Sequence, residues 1–510
     1  MDNNNSSVTV QNTTCYPAPN GPEHHAACID EKSTSGSNAH SSDQGAYRLY
    51  KRRWMILIAI VLVNVTNAMI WITYSSIATI GAAYFNVSLT ATNMLNLVFY
   101  VCYIVASIPS AFVIDRHGIR AGLTCGIVGN LAGGWLRYLA AVIPMSAHAR
   151  YGVTMLGHVV AGIAQPFALN IPTKFAATWF AEDGRAIVNT VTTAANPVGI
   201  ALGSVLVPLM VKGEEDLPLM LVVVAAIASA PLLLVPCLRS RPPTPACPPP
   251  PASTDTFLRG VLEALRSPGF WALTVLFGSL VGAFSALTGL LNNIVIPYGY
   301  SDDDAGIFGA ATILAGLIGA GMVGVYIDRT GKHKQVARIM LPFTAATFIG
   351  CIFAVREDAY VVCVVVFALV GLTSFSLLPV GLELSVECTY PVPEASSTNI
   401  LWMAGQLFAL VIQLIMNVLR DDDGTPGNSW KPAGNMLHAL ILLAVVVFVC
   451  AAVFLAFYRA PMRRREAERL YHMRERASSS PERAHMKESI RVTSAADDGY
   501  ERKSPAHSLF

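Results

Sequence analysis

Charge is what this sequence has least of. Only 13% of its 510 residues are Asp, Glu, Lys or Arg, and the formal net charge is +2. Soluble domains carry about 25% charged residues, so an ordinary soluble domain is excluded. A near-neutral balance also gives no basic surface for nucleic acid. Chemistry-bearing motifs are missing as well. The chain has no glycine-rich phosphate loop, no nucleophile elbow and no HExxH pair. It therefore offers no support for an enzyme or for transport driven by its own ATP site. The ten cysteines form no CxxC pair, and Cys102, Cys125, Cys351, Cys363 and Cys450 lie inside apolar runs. They are expected to be small core residues, with no disulfide framework, metal site or cofactor. Residues 1–47 are nearly free of large apolar side chains and rich in Asn, Ser and His. A disordered tail is expected there rather than a signal peptide.

What is present is apolar sequence: 53% of residues are hydrophobic and the mean hydropathy is +0.49. A membrane span needs about 20 apolar residues. Twelve such runs occur, near 54–80, 92–114, 121–143, 151–177, 186–211, 217–238, 270–297, 305–327, 336–355, 359–386, 395–419 and 434–458. The long Pro-rich break at 239–268 divides them six plus six. The expectation is an all-α membrane protein of twelve transmembrane helices. Its parts are a cytoplasmic tail (1–47), a six-helix half (48–238), a cytoplasmic linker (239–268), a second half (269–460) and a basic tail (461–510). Placing the N-terminus in the cytoplasm puts twenty Lys and Arg on the inner side against five outside, counting loops and helix ends. That asymmetry orients the chain with both termini inside. The Asn86-Val-Ser match then falls in the first outer loop.

Two segments repeat. "AFVIDRHGIR" (111–120) and "GVYIDRTGKH" (324–333) each follow the second run of a half, and their Asp residues are 213 positions apart. The pattern resembles the Asp-Arg-x-Gly signature of the major facilitator superfamily, which implies that fold: two six-helix pseudo-repeats around one central site. The first copy departs at Ala111 and Ile119. Gly118 and Gly331 suit a sharp turn. Asp115, Arg116, Arg120, Asp328 and Arg329 are candidate gating charges, expected to pair across the seam between the halves and to release when they rock.

Polar side chains at membrane depth mark partners or a cavity. Trp71 falls in the outer half of the first helix with Asn67 one turn deeper, and Tyr74 one turn above shares that face. Gln165 and Gln406 fall near mid-membrane, Asn292 and Arg137 in outer halves, and Glu383 and Glu387 near the cytoplasmic end of the tenth helix. The stretches "RRWMILIAIVLVNVTNAMIWITYSSI", "IPTKFAATWF", "NPVGIALG", "GLLNN" and "GLELSVECTYPVPEASSTNILWMAGQ" resemble the feline leukaemia virus subgroup C receptor-related transporters over about residues 50–460. That resemblance implies traffic in choline or ethanolamine, or in haem. It also implies an aromatic cage with glutamines, in which the Trp matches Trp71 and the glutamines match Gln406 and Gln165. A ring face attracts a quaternary ammonium, and neutral amides complete the shell. Ser285 stands where choline-handling members carry a Tyr, with Tyr74 and Trp402 as candidate replacements.

The expected function is alternating-access transport of a small organic solute, a choline- or ethanolamine-like amine moving downhill. Haem or another organic anion, with proton coupling through Glu383, is the alternative. Glu383 is otherwise an inner-gate lock to Lys174 or Arg185. A non-transporting receptor or nutrient sensor is a third reading. The expected partners are the solute and the bilayer, with no nucleic acid. A monomer in the plasma membrane is expected, an internal membrane being the other location.

Overall fold

A computed structural model describes residues 50–180, 182–244, 265–389, 394–420, 432 and 434–458, with the side chains of 173, 182–186, 328, 394–396 and 457 left out. The two expected tails, most of the 239–268 linker and the acidic run at 421–423 lie outside the described residues.

The N-terminal half is built from α1 (Arg52–Ser76), α2 (Ala78–Phe85), α3 (Leu89–Val142), α4 (Ala147–Leu169), α5 (Ile171–Trp179), α6 (Glu182–Met210) and α7 (Leu217–Ser229). The last continues as a 3-10 stretch, Ala230–Cys237, where Pro231 and Pro236 remove backbone donors. The C-terminal half contains α8 (Pro268–Gly289), α9 (Leu291–Val295), α10 (Asp302–Thr330), α11 (His333–Ala354), α12 (Tyr360–Thr389), α13 (Glu394–Val418) and α14 (Leu437–Phe457). Among the described residues, eleven helical stretches are long and apolar enough to cross a membrane. Leu89–Val142 has 54 residues, about 81 Å at 1.5 Å per residue, against a hydrocarbon core of about 30 Å. It crosses twice, and the twelve expected crossings are recovered. Among the described residues the fold is all-helical.

Its reversal is made by Gly118, at φ 85° and ψ 177°. Only glycine adopts this without strain, and a Cβ would lie 2.5 Å from Ser240 Oγ. Gly331, at φ 62°, caps α10 in the second copy of the repeat. Ser88 and Ser146 cap α3 and α4 by accepting from Ala91 N and Ala149 N, and Ser301 with Asp304 forms a capping box on α10.

The repeat extends beyond the Asp-Arg-x-Gly turns. The first helix of each half is interrupted, at Ile77 (φ −134°, ψ 45°) and at Leu290 (φ −115°, ψ 11°). These breaks are 213 residues apart, the spacing of the two Asp. Interrupted helices at matching places in two halves flank binding sites in this class of architecture.

Each half has its own packed interior. The C-terminal half centres on Phe270, Phe308, Phe348 and Phe367. The N-terminal half has one cluster around Tyr74, Phe85 and Phe99 and another, near the Gly118 turn, around Phe175 and Trp179. Val105, Phe112, Phe343 and Val361 point outward, an apolar surface suited to lipid. The halves meet along two seams, α3 against α13 and α6 against α10.

A candidate substrate site at the seam between the halves

The α3 face toward α13 carries a polar stripe. Asn93, Asn96, Tyr100, Tyr103, Ser107 and Ser110 follow alternating spacings of three and four, which holds them on one helical face. On α13, Asn399, Gln406 and Gln413 recur every seven residues, and Asn417 follows one turn later. The helices run antiparallel, and their polar residues meet in order. Near the Gly118 end, Ser107 Oγ donates to Asn399 Oδ1 at 2.8 Å. At the opposite end, Asn93 Nδ2 donates to Asn417 Oδ1 at 2.7 Å, and Asn293 Nδ2 donates to Asn93 Oδ1 at 3.0 Å.

The middle rung is different. Asn96 and Gln413 are buried, at 2% and 0% exposure, yet among the described residues neither side-chain amide nitrogen nor oxygen has a hydrogen-bond partner. Both side-chain oxygens lie 3.2 Å from where a Cβ on Gly289 would stand. The missing side chain of Gly289 is what gives the two carboxamides their space, at the end of α8 beside the break. A buried polar group left unpaired costs about 1–3 kcal/mol, so this rung is kept at the expense of stability.

An aromatic pair stands beside it. Trp71 and Tyr100 have ring centroids 6.1 Å apart, inclined at 59°. Tyr100 Oη donates across the seam to the Ser285 carbonyl at 3.5 Å. The Trp71 Nε1 and Gln165 Oε1 atoms are buried without partners, and Gln406 is 7% exposed. Of the residues that sequence singled out, the structure sets Trp71 against Tyr100, which bonds Ser285. Gln406 shares a face of α13 with Gln413, two turns away.

Others are turned elsewhere. Asn67 Nδ2 donates to Asn130 Oδ1 at 2.7 Å and to the Ala161 carbonyl at 2.9 Å, bridging three helices inside the N-terminal half. Tyr74 packs on Phe85 and His158, with Arg137 over its ring. Its ring partners differ from that of Trp71, which is Tyr100, although both side chains lie in one buried cluster. Trp402 stands edge-on to Phe277 within the C-terminal half, at 5.7 Å. The aromatic side chain that reaches Ser285 is Tyr100.

Asn292 belongs to the closure at the α2 and α9 end. Its Nδ2 lies 3.1 Å from the Ser76 carbonyl and 2.5 Å from Asp302 Oδ1. Lys212 and Asp303 form an ion pair across the α6–α10 seam at the same end. Along that seam a Cβ on Gly306 would overlap the Ser204 carbonyl. Ser204 and Gly306 are 213 residues before Asn417 and after Asn93. The two seams are thus related by the same internal repeat, one closed by an amide pair and one by close backbone contact.

At the other end, Asp115 does not reach across the seam. Lys174 donates to Asp115 Oδ1 at 2.7 Å and to the Ile114 carbonyl at 2.8 Å, a pair within one half, because α5 lies beside this end of α3. Arg116 sits over Phe112 at 5.8 Å. Arg120, Arg329 and Glu383 are exposed and Glu387 is buried. The side chains of Asp328 and Arg185 lie outside the described residues. Among the described residues, no group of three or more His, Cys, Asp or Glu could hold a metal ion.

Asn96, Tyr100, Gln413 and Gly289 are the residues that sequence reasoning missed. The signal was the three-four stripe on α3 and the seven-residue recurrence on α13.

Comparison with known proteins agrees with this architecture. The family model described as Major Facilitator Superfamily matches residues 56–413. "Solute carrier family 49 member A3" of Danio rerio is 34% identical over 83% of this chain and 90% of its own length. "Choline/ethanolamine transporter FLVCR2" of Homo sapiens is 27% identical over 84% of this chain and 81% of its own. Among solved structures, a D-xylose-proton symporter superposes with a TM-score of 0.62 at 15% identity, covering 81% of this chain and 98% of that one.

Proposed function

The chain belongs to the Major Facilitator Superfamily and, within it, to solute carrier family 49; on that footing we propose that it moves a small organic amine of the choline or ethanolamine kind through the α3–α13 seam. The observation that carries this reading is the Asn96–Gln413 rung, two buried carboxamides without partners beside the Trp71–Tyr100 pair. A cation with an alkyl shell fits such a site. Two ring faces attract its charge, and the carboxamides accept from its hydroxyl or ammonium group. Relatives at 27% and 29% identity that are named as choline/ethanolamine transporters support the substrate class. Tyr100 supplies, from the second crossing, the ring that Ser285 does not.

Movement is by alternating access. The Asn93–Asn417, Asn292–Ser76 and Lys212–Asp303 contacts close one end, and they part when the halves rock. The Gly118 and Gly331 turns face the cytoplasm, as do both termini, in a monomer of the plasma membrane. Transport is downhill, since the described residues at the rung carry no carboxylate to hold a coupling proton.

The test is uptake of labelled choline, ethanolamine and haemin into proteoliposomes, with and without a proton gradient, for wild type and Trp71→Phe and Tyr100→Leu. Choline or ethanolamine flux that is indifferent to the gradient and falls in Tyr100→Leu supports the reading. Flux of haemin alone refutes the substrate class. Ligand-dependent stabilisation with no flux refutes transport in favour of a sensor.

A further inference from the structure

The N-terminal half holds a second polar cluster, behind Tyr74 and away from the seam. Arg137 on α3 is 1% exposed, and among the described residues its Nε, Nη1 and Nη2 make no hydrogen bond of good geometry. Two ion pairs form among the described residues, and neither includes it. Its guanidinium lies over the Tyr74 ring, 5.4 Å from the centroid, and that ring is 5.5 Å from His158. The Tyr74 hydroxyl is also buried; it lies close to Thr154 and to Arg137 but makes no hydrogen bond of good geometry among the described residues. Among the described residues, the titratable groups interacting with this guanidinium are Tyr74 from α1 and His158 from α4, with no carboxylate among them. His158 Nδ1 lies 3.0 Å from the Thr154 carbonyl. A carbonyl only accepts, so Nδ1 carries a proton.

A ring face shields one side of a cation but does not neutralise it. A buried charge without a counter-charge is far costlier than a buried neutral group. Water would satisfy the N–H groups and leave the charge. We propose that Arg137 and Tyr74 hold a small monovalent anion of the halide kind, bound by the guanidinium N–H groups and the phenol O–H. One fixed cation balances one negative charge, which disfavours sulfate or phosphate. A Cβ on Gly133 would stand 2.6 Å from the Gly157 carbonyl, and one on Gly157 would stand 2.8 Å from Arg137 Cγ, so α3 and α4 pack closely at the root of the Arg137 side chain. The anion would tie α1, α3 and α4 together as a structural element of the half, whatever the transported solute.

Thermal unfolding of the full-length protein in detergent tests this, comparing sodium chloride or bromide with sodium gluconate at equal ionic strength. Halide is expected to raise the wild-type Tm saturably. Half-saturation moves to higher halide in Tyr74→Phe, which keeps the ring and loses the donor. Arg137→Gln is expected to lose the halide response and, in gluconate, to melt no lower than wild type. A wild-type Tm indifferent to halide overturns the proposal, as does a halide response that persists unchanged in Arg137→Gln. Should Arg137→Gln not fold, bromide-exchanged crystals of wild type decide: an anomalous peak against the Arg137 guanidinium supports the site, and a featureless map there overturns it.

Discussion

Gly289→Ala isolates the middle rung of the seam. The new methyl would stand 3.2 Å from both Asn96 Oδ1 and Gln413 Oε1, closer than ordinary van der Waals contact, so each carboxamide must yield by a few tenths of an ångström. Both are the ends of side chains, and the cost of that shift is about 1 kcal/mol. Replacing glycine by alanine at the end of α8 returns about 0.5–1 kcal/mol of backbone entropy. The two effects offset, and the Tm stays within a few degrees of wild type. Transport does not have this compensation. Displacing one carboxamide removes one hydrogen bond to a charged or polar solute, about 1.5 kcal/mol, which is about tenfold in affinity. The assay is initial uptake into proteoliposomes against substrate concentration, with the Tm of the same preparation measured in parallel. A KM raised about tenfold at unchanged Tm is expected, and Gly289→Val should go further. An unchanged KM in both variants would refute the assignment of Asn96 and Gln413 to the site.

The remaining expectations are these. Lys212 and Asp303 are 58% and 40% exposed as side chains, so Lys212→Ala should cost less than about 1 kcal/mol of stability. It should nevertheless loosen closure at that end, read as faster labelling of a cysteine placed at Ser204 by an impermeant maleimide, with the Lys212→Asp/Asp303→Lys exchange restoring slow labelling. Trp71→Ala should abolish uptake and also destabilise by about 3–5 kcal/mol, whereas Trp71→Phe should retain measurable flux near the wild-type Tm. Gly118→Ala forces a side chain to φ 85° against Ser240. It should lower the Tm by the equivalent of about 1–3 kcal/mol, and Ser240→Gly should recover only the steric part.

The fold was legible because membrane spans must be apolar and about 20 residues long, and because the Asp-Arg-x-Gly turns repeat at a fixed offset. The turn between the second and third spans was legible too, because Gly118 stands between two apolar runs. The reversal there depends on a single glycine dihedral. The breaks at Ile77 and Leu290 were hidden, since neither position is a Pro or a Gly.

The site was only partly legible. Trp71 stands out because an indole within an apolar run is rare enough to notice. Asn67 stands out equally, yet its amide bridges Asn130 and Ala161, because a lone polar residue in a helix bundle is satisfied by whichever neighbour packing provides. Asn96 and Gln413 were obscured by the opposite circumstance. Each is one member of a polar stripe, and what distinguishes them from Asn93 and Asn417 is the absence of a partner, which sequence does not record. Asp115 was expected to bind across the seam, but its cation, Lys174, comes from α5 in the same half.

The most direct test of the account is a double replacement that removes the open rung while keeping its shape, Asn96→Leu with Gln413→Met. Buried polar groups without partners each cost about 1–3 kcal/mol, so apolar groups of similar size should raise the Tm while choline uptake in proteoliposomes falls to background. Uptake at the wild-type rate, or a protein that melts well below wild type, would contradict the claim that this rung is held open for a transported solute.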